Sequence, residues 1–397
     1  MDRSWLWIIL FLTLATPVRG ADLAPVKLGL VVPSASDAGP AAQSMRRAAE
    51  MAVADWAPRL GREVLLKVQE DPFDPKQAVA VAEKFVQDGT WGVVGHFYSS
   101  SSIPASAIYY QAGIPLVTPT STHPRLTRQG FTTVFRVSGR DDQQALTAAA
   151  FILDVLKGRR IAVVHDRTEY GRSLAEALTR AVQARFPRRL VAAEVIAQGD
   201  KDFAPLSARL KAVEPDVVYF GGIYREAAYL VRQLRQARVA AAFVSGDGVP
   251  DPEFLKIAGE ETVGRVYCTF APDPRLLPSA RLLIQRYEAR YGSLGPYVLY
   301  TYDAVGVLLR AIQIARPKDH TKEELRKVVR AIRGMTYDGA LGRLRWDRNG
   351  DLAASPYVVY ATKKGGGLHG WFEQLPVRPA AGGTAPRVAA RPSGTQP

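Results

Sequence analysis

The sequence predicts an α/β protein built as two doubly wound parallel-sheet lobes joined by a hinge of several strands. Three observations carry that prediction. Short β-branched runs alternate with longer stretches of helical period along nearly the whole chain. The connections between successive runs are long enough for parallel crossovers. And 397 residues are more than one ordinary hydrophobic core accommodates.

The elements follow in order. Val26 to Val32 reads as a buried strand, and the stretch from Ala41 to Ala57 then sets Met45, Ala48, Ala49, Ala52, Val53 and Trp56 on one helical stripe. Val64 to Val68 is the next strand. Asp74 caps the helix after it, Pro75 takes the first helical position, Ala78, Val81, Ala82 and Phe85 turn inward, and Gly89 stops it. Trp91 to Val94 is the third strand. A second series begins after Arg140, with strands at Ile161 to Val164, Leu190 to Ile196, Val217 to Phe220, Ala242 to Val244 and Val266 to Phe270. Helices such as Leu174 to Phe186 and Glu226 to Arg238 separate them. The apolar helix from Tyr297 to Ala315 comes after this series has closed, so it is expected to return to the first lobe. The expected division is 26–138 plus 271–337 for the amino-terminal lobe and 139–270 plus 338–375 for the carboxy-terminal one.

The ends of the chain read differently. A charged start, the apolar run from Trp5 to Leu14, then Pro17, Val18 and Gly20 give residues 1–20 the three-part pattern of a secretory signal peptide. That run is shorter than the roughly 20 apolar residues of a bilayer crossing, and no later stretch is read as a span. With no cysteine immediately after the cleavage point to accept a lipid, a soluble exported protein is expected. The lone Cys268 excludes an internal disulfide. Residues 376–397, rich in Pro, Ala, Gly, Thr and Arg, show no apolar period and are expected to be disordered.

A formal charge of +14 could suggest nucleic acid. The arginines, however, are scattered over the polar faces of helices, as at Arg46, Arg47, Arg180 and Arg235, without aromatic interleaving, so no nucleic-acid partner is expected. Catalytic patterns are also missing. No phosphate-cradling Gly-x-x-x-x-Gly-Lys loop occurs, five histidines and one cysteine give no zinc spacing, and no metal or other cofactor is expected. Asp347-Arg348-Asn349-Gly350-Asp351 begins like a calcium loop, but Val358 stands where the closing glutamate belongs, so a turn between strands is expected.

Open parallel sheets bind ligands outside the carboxyl ends of their strands. There the sequence places two hydroxyl-rich loops. The first, Gly95-His96-Phe97-Tyr98-Ser99-Ser100-Ser101-Ser102, runs into a helix whose first N–H groups and dipole favour an anionic guest. One serine can serve as the helix cap; four exceed that need. The second, Thr118-Pro119-Thr120-Ser121-Thr122-His123, ends the next strand.

The run from Val94 to Thr127 resembles the diagnostic segment of the branched-chain amino-acid periplasmic binding proteins, type I, which serve ABC importers. The likeness continues through His165 to Gly171, Pro215 to Gly222, Ser245 to Val249 and Pro296 to Ala304, in order. It implies a ligand held between two lobes, an exported periplasmic location and a membrane permease as partner, without catalysis. Residue by residue, Ser99 and Thr122 resemble the hydroxyls that grip a ligand carboxylate, with Ser121 beside them. Thr120 resembles the residue whose carbonyl accepts from the ammonium, Tyr170 the tyrosine that reaches across on closure, and Asp247 stands where a glutamate pairs with the ammonium. Turn duty between Gly246 and Gly248 is the competing reading of Asp247. The sequence departs from the pattern at Ile223, with Tyr224 next door, where an aromatic residue is common. It departs again at Ala41, another aromatic position, and at Tyr98, where a small residue is typical. A reshaped side-chain pocket is expected. A ligand-sensing receptor of the same fold, and a binder of an amide, urea or aromatic carboxylate, are the alternatives.

Overall fold

A computed structural model describes residues 24–71, 73–366, 370–378 and 387–388. The expected signal peptide lies outside the described residues.

The first sheet contains β1 (Val26–Pro33), β2 (Val64–Asp71), β3 (Gly92–Val94), β4 (Leu116–Thr118) and β5 (Val134–Arg136), in the spatial order 2-1-3-4-5. Every pairing is parallel, Leu30 lying opposite both Val68 and Val94. Burial on both faces explains why β1 and β3 read as continuous apolar runs. The connecting helices are α1 (Ala35–Leu60), α2 (Pro75–Gln87), α3 (Ser99–Ala112) and α4 (Arg125–Arg128). Asp74 accepts from the N–H of Lys76 as the expected cap of α2. The helix expected from Ala41 starts earlier, at Ala35, across a kink at Ala38; Pro40, which has no N–H to give, lies just beyond it.

The second sheet contains β6 (Ile161–His165), β7 (Leu190–Val195), β8 (Val217–Gly221), β9 (Ala242–Ser245) and β10 (Val266–Phe270), all mutually parallel. Its helices are α5 (Asp141–Ala150), α6 (Glu169–Arg185), α7 (Ala204–Ala212), α8 (Tyr224–Gln236) and α9 (Phe254–Ala258). After α10 (Arg281–Tyr291), the helix α11 (Val298–Ala315) packs Val305, Leu308, Leu309 and Ile312 into the core of the first lobe, as expected. Helix α12 (Lys322–Gly334) joins it there. By length and composition α11 could cross a membrane, contrary to the reading that no later stretch could; it is instead the central core helix of the first lobe.

Two further differences from the sequence reading have local causes. Residues 338–352, assigned above to the second lobe, pack on the first. The hairpin of β11 (Tyr337–Gly339) and β12 (Gly342–Leu344) is held by the buried Asp303 carboxylate, which accepts from the N–H groups of Ala340 (2.9 Å) and Leu341 (2.7 Å). Trp346 Nε1 donates to Arg136 O, and Trp346 pairs with Leu352 across the expected Asn-Gly turn. The second sheet is also not wholly parallel. β13 (Val358–Gly366) runs antiparallel to β10, and β14 (Gly370–Gln374) antiparallel to β13, because the connection between these last two is too short for a crossover. In the tail expected to be disordered, β15 (Val377–Arg378) pairs with β16 (Arg387–Val388); its other residues from 379 on lie outside the described ones.

The chain thus passes between the lobes three times: after β5, after β10, and between Leu352 and β13. The carboxyl ends of the two parallel sheets face each other across the gap.

Candidate functional site

A cavity of about 60 Å³ lies between the lobes. Nearly all of its lining comes from the loops and helix starts that follow the carboxyl ends of parallel strands. From the first lobe, β1 supplies Ala38 and Ala41, β2 supplies Phe73, β3 supplies Phe97, Tyr98, Ser99 and Ser100, and β4 supplies Thr120. From the second, β6 supplies Thr168 and Tyr170, β8 supplies Ile223 and Tyr224, and β9 supplies Asp247, Gly248, Pro250 and Asp251. Pro296 and Tyr297, just before α11, complete it.

The first-lobe wall offers donors. Ser99 and Ser100 open α3, so their backbone N–H groups have no intrahelical acceptor and sit at the positive end of the helix dipole. The buried Asp71 carboxylate holds this helix start in place, accepting from Tyr98 N–H (3.3 Å) and Ser101 Oγ (2.7 Å). Burial lifts Asp71 to about 6, opposed by those bonds. Phe73 and Phe97 pack against Tyr98, with ring centroids 3.9 Å and 4.8 Å away, and Tyr297 packs edge-on against Phe97 at 5.4 Å. The bulky Tyr98 therefore has built an aromatic wall and does not block the gap.

The second-lobe wall offers an acceptor. Asp247 is nearly buried, and burial raises its carboxyl above the ordinary range. Tyr170 Oη donates to Asp247 Oδ1 at 2.8 Å and itself accepts from Gly248 N–H at 2.9 Å, which fixes the loop. A turn residue needs no such side-chain clamp. Close packing behind the loop requires Gly171 and Gly221: a Cβ on Gly171 would lie 2.4 Å from Gly221 O. The adjacent His165 and Asp166 are each occupied by the turn into α6, accepting from Arg167 N–H and from Thr168 N–H and Oγ1 respectively.

Several bonds cross the gap and hold it closed. Tyr297 Oη donates to Asp247 O at 3.3 Å, Arg225 Nη2 donates to Ser36 O, and His123 Nε2 lies 3.4 Å from Glu169 Oε2.

Of the nine residues singled out in the sequence, Tyr98, Ser99, Thr120, Tyr170, Ile223, Tyr224 and Asp247 line the cavity. Ser121 and Thr122 do not. Ser121 Oγ is turned toward the neighbouring loop after β3, donating to His96 O and meeting Ser102 Oγ at 2.6 Å. Thr122 is fully buried beside Asp141, whose N–H donates to its carbonyl. The Thr122 and Ser173 hydroxyls offset part of the burial that lifts Asp141 to about 7. Thr120 Oγ1 is likewise engaged, donating to Phe97 O. The sequence reading missed Phe73, Phe97, Thr168, Asp251 and Tyr297. Phe73 and Asp251 could have been found by extending the strand-end rule to β2 and to the rest of the β9 loop.

A gap between two α/β lobes, lined from both by strand-end loops and bridged by closing contacts, defines a two-lobed ligand-binding protein. Residues 25–367 match the family model described as periplasmic binding protein, and the chain belongs to that family. An amino acid binding protein of Pseudomonas aeruginosa is 40% identical over 320 residues, covering 80% of this chain and 82% of its own. The Leu/Ile/Val-binding protein homolog 1 of Brucella melitensis is 35% identical over 359 residues, covering 89% and 95%. Among solved structures, a leucine binding protein from Thermotoga maritima superposes with a TM-score of 0.80 at 26% identity, covering 88% of this chain and 98% of its own. A branched-chain amino acid transporter substrate binding protein from Streptococcus pneumoniae, in complex with isoleucine, shares the fold at a TM-score of 0.75 and 20% identity, covering 89% and 99%.

Proposed function

We propose that this chain is the periplasmic substrate-binding component of an ABC importer, soluble after removal of its signal peptide, and that it closes around an amino acid without transforming it. The observation that supports this most directly is the polarity of the cavity. A helix start with free N–H groups and hydroxyls stands on one wall, and the buried Asp247 carboxylate stands on the other. A zwitterion places its carboxylate at Ser99 and Ser100 and its ammonium at Asp247. Charge-assisted bonds of this kind strengthen when water is excluded. Ligand contacts from both lobes favour the closed state, and that differential affinity drives closure. The closed form then docks on a membrane permease. The names of the relatives at 35–40% identity support an amino-acid ligand.

Calorimetry of the purified protein against the common amino acids, small amides and aromatic acids tests the reading. At least one α-amino acid is expected to bind, and Asp247→Asn is expected to weaken it roughly 30-fold or more, the loss of a buried charge partner. An aromatic carboxylate or amide bound equally by both proteins contradicts the ammonium assignment.

A further inference from the structure

The amino-acid reading leaves the ligand's side chain unassigned, and this inference rests on that reading. Beyond the Ser99 and Asp247 ends, the cavity is walled by Phe73, Tyr98 and Tyr224, and by one more carboxylate. Asp251 follows Asp247 by four positions in the same loop, lines the same cavity and is only 6% exposed. Its Oδ1 accepts from Glu253 N–H at 2.8 Å, the turn that leads into α9. Its other oxygen accepts no hydrogen bond from the described residues, and Arg225 and Lys256 act on the group through their charge alone. Turn duty accounts for Oδ1 alone, and an asparagine would perform it equally well. The second oxygen is not sealed from solvent and stands open to the cleft, so a ligand that displaces its water must bring a donor of its own or lose affinity. Burial of the residue holds the group up at about 6, partly offset by the charges of Arg225 and Lys256.

We propose that Asp251 is a specificity-determining residue that accepts from a hydrogen-bond donor on the ligand's side chain. The cleft then selects an amino acid whose short side chain ends in a hydroxyl, carboxamide or ammonium group over its aliphatic counterpart. The aromatic walls suit its methylene portion.

The isosteric pair threonine and valine, together with asparagine against leucine and 2,4-diaminobutyrate against leucine, is titrated calorimetrically into the full protein. The readout is the ratio of dissociation constants within each pair, which cancels changes at the shared α-groups. The wild-type protein is expected to prefer the donor-bearing member roughly 10- to 100-fold, and Asp251→Ala is expected to bring the threonine–valine ratio close to unity. Should Asp251→Ala fail to fold, Asp251→Asn, which retains the bond from Glu253, decides through an expected loss of diaminobutyrate affinity of about tenfold or more. Equal binding of threonine and valine by the wild type, a ratio unchanged in Asp251→Ala, or undiminished diaminobutyrate binding by Asp251→Asn overturns the proposal while leaving the amino-acid reading intact. Binding of no α-amino acid at all removes both.

Discussion

Asp351 is the residue through which the third interlobe crossing is tied to the first sheet, and its substitution gives a sharp test of that architecture. Its Oδ1 lies 2.7 Å from Arg136 Nε and accepts from Thr127 Oγ1 at 2.8 Å, while Oδ2 accepts from Arg140 Nη1 at 3.0 Å. The Arg136 side chain has no exposed surface and that of Asp351 only 2%. Asp351→Asn conserves size and removes the charge, leaving a buried guanidinium without a counter-ion. Breaking such a pair costs about 3–5 kcal/mol. Arg136 also donates to Ser121 O, His123 O and Thr127 Oγ1, and these bonds survive the change, which places the expected loss near the lower end, about 3 kcal/mol. Arg140 is partly exposed and retains Asp142, so it adds less than about 1 kcal/mol. Urea unfolding followed by tryptophan fluorescence reads the result, because Trp346 donates to the carbonyl of Arg136 itself. The control is Asp338→Asn, which breaks an exposed pair with Arg343 and should change stability by no more than about 0.5 kcal/mol. The reasoning fails if Asp351→Asn costs less than about 1 kcal/mol or no more than the control does.

Stability should also depend on pH in a direction opposite to the usual acid sensitivity. Burial lifts Asp141, Asp166 and Asp303 to about 7 from an ordinary 3.8, so the folded chain holds protons that the unfolded chain releases. Their contribution is fully present below about pH 4 and is lost as pH rises through about 7. His96 and His123, pushed down by burial to about 3 and about 4, act the other way, but only once pH falls below their ordinary 6.5. The thermal midpoint is therefore expected to rise from about pH 8 to about pH 6.5, by the equivalent of about 2 kcal/mol; a midpoint that falls over that interval contradicts the assignment. Gly171→Ala drives a methyl group to 2.2 Å from Asp166 Oδ1 and 2.4 Å from Gly221 O, backbone that cannot turn aside. A loss of about 1–3 kcal/mol in denaturant unfolding is expected, and a neutral outcome would show that α6 can slide along β8.

The cavity-lining edge of each lobe was legible in the sequence because it follows from strand direction. Once Trp91 to Val94 and Ala242 to Val244 were read as parallel strands, Ser99 and Asp247 had to stand at carboxyl ends. Neighbours within one loop were less legible. Ser99 and Thr122 look equivalent as hydroxyls, yet Ser99 opens a helix at the cavity while Thr122 is packed against Asp141 of the other lobe. Periodicity assigns elements, but it does not assign the direction of a side chain in an irregular turn.

The hairpin at 337–344 shows the same limit at larger scale. From sequence, residues 338 onward were assigned to the second lobe; in the fold the hairpin is fixed to the first lobe by the Asp303 carboxylate, a contact 37 residues away along the chain. Local pattern, composition and strand-end chemistry determined the α/β class, the two lobes and the polarity of the cleft, because each depends on short-range period and on the handedness of crossovers. Lobe membership after β10, the burial of Ser121 and Thr122, and the convergence of Phe73, Tyr297 and Asp251 on one cavity were decided only by tertiary packing. Those outcomes depend on which distant groups satisfy a buried charge or N–H, and that pairing is not written in any stretch of neighbouring residues.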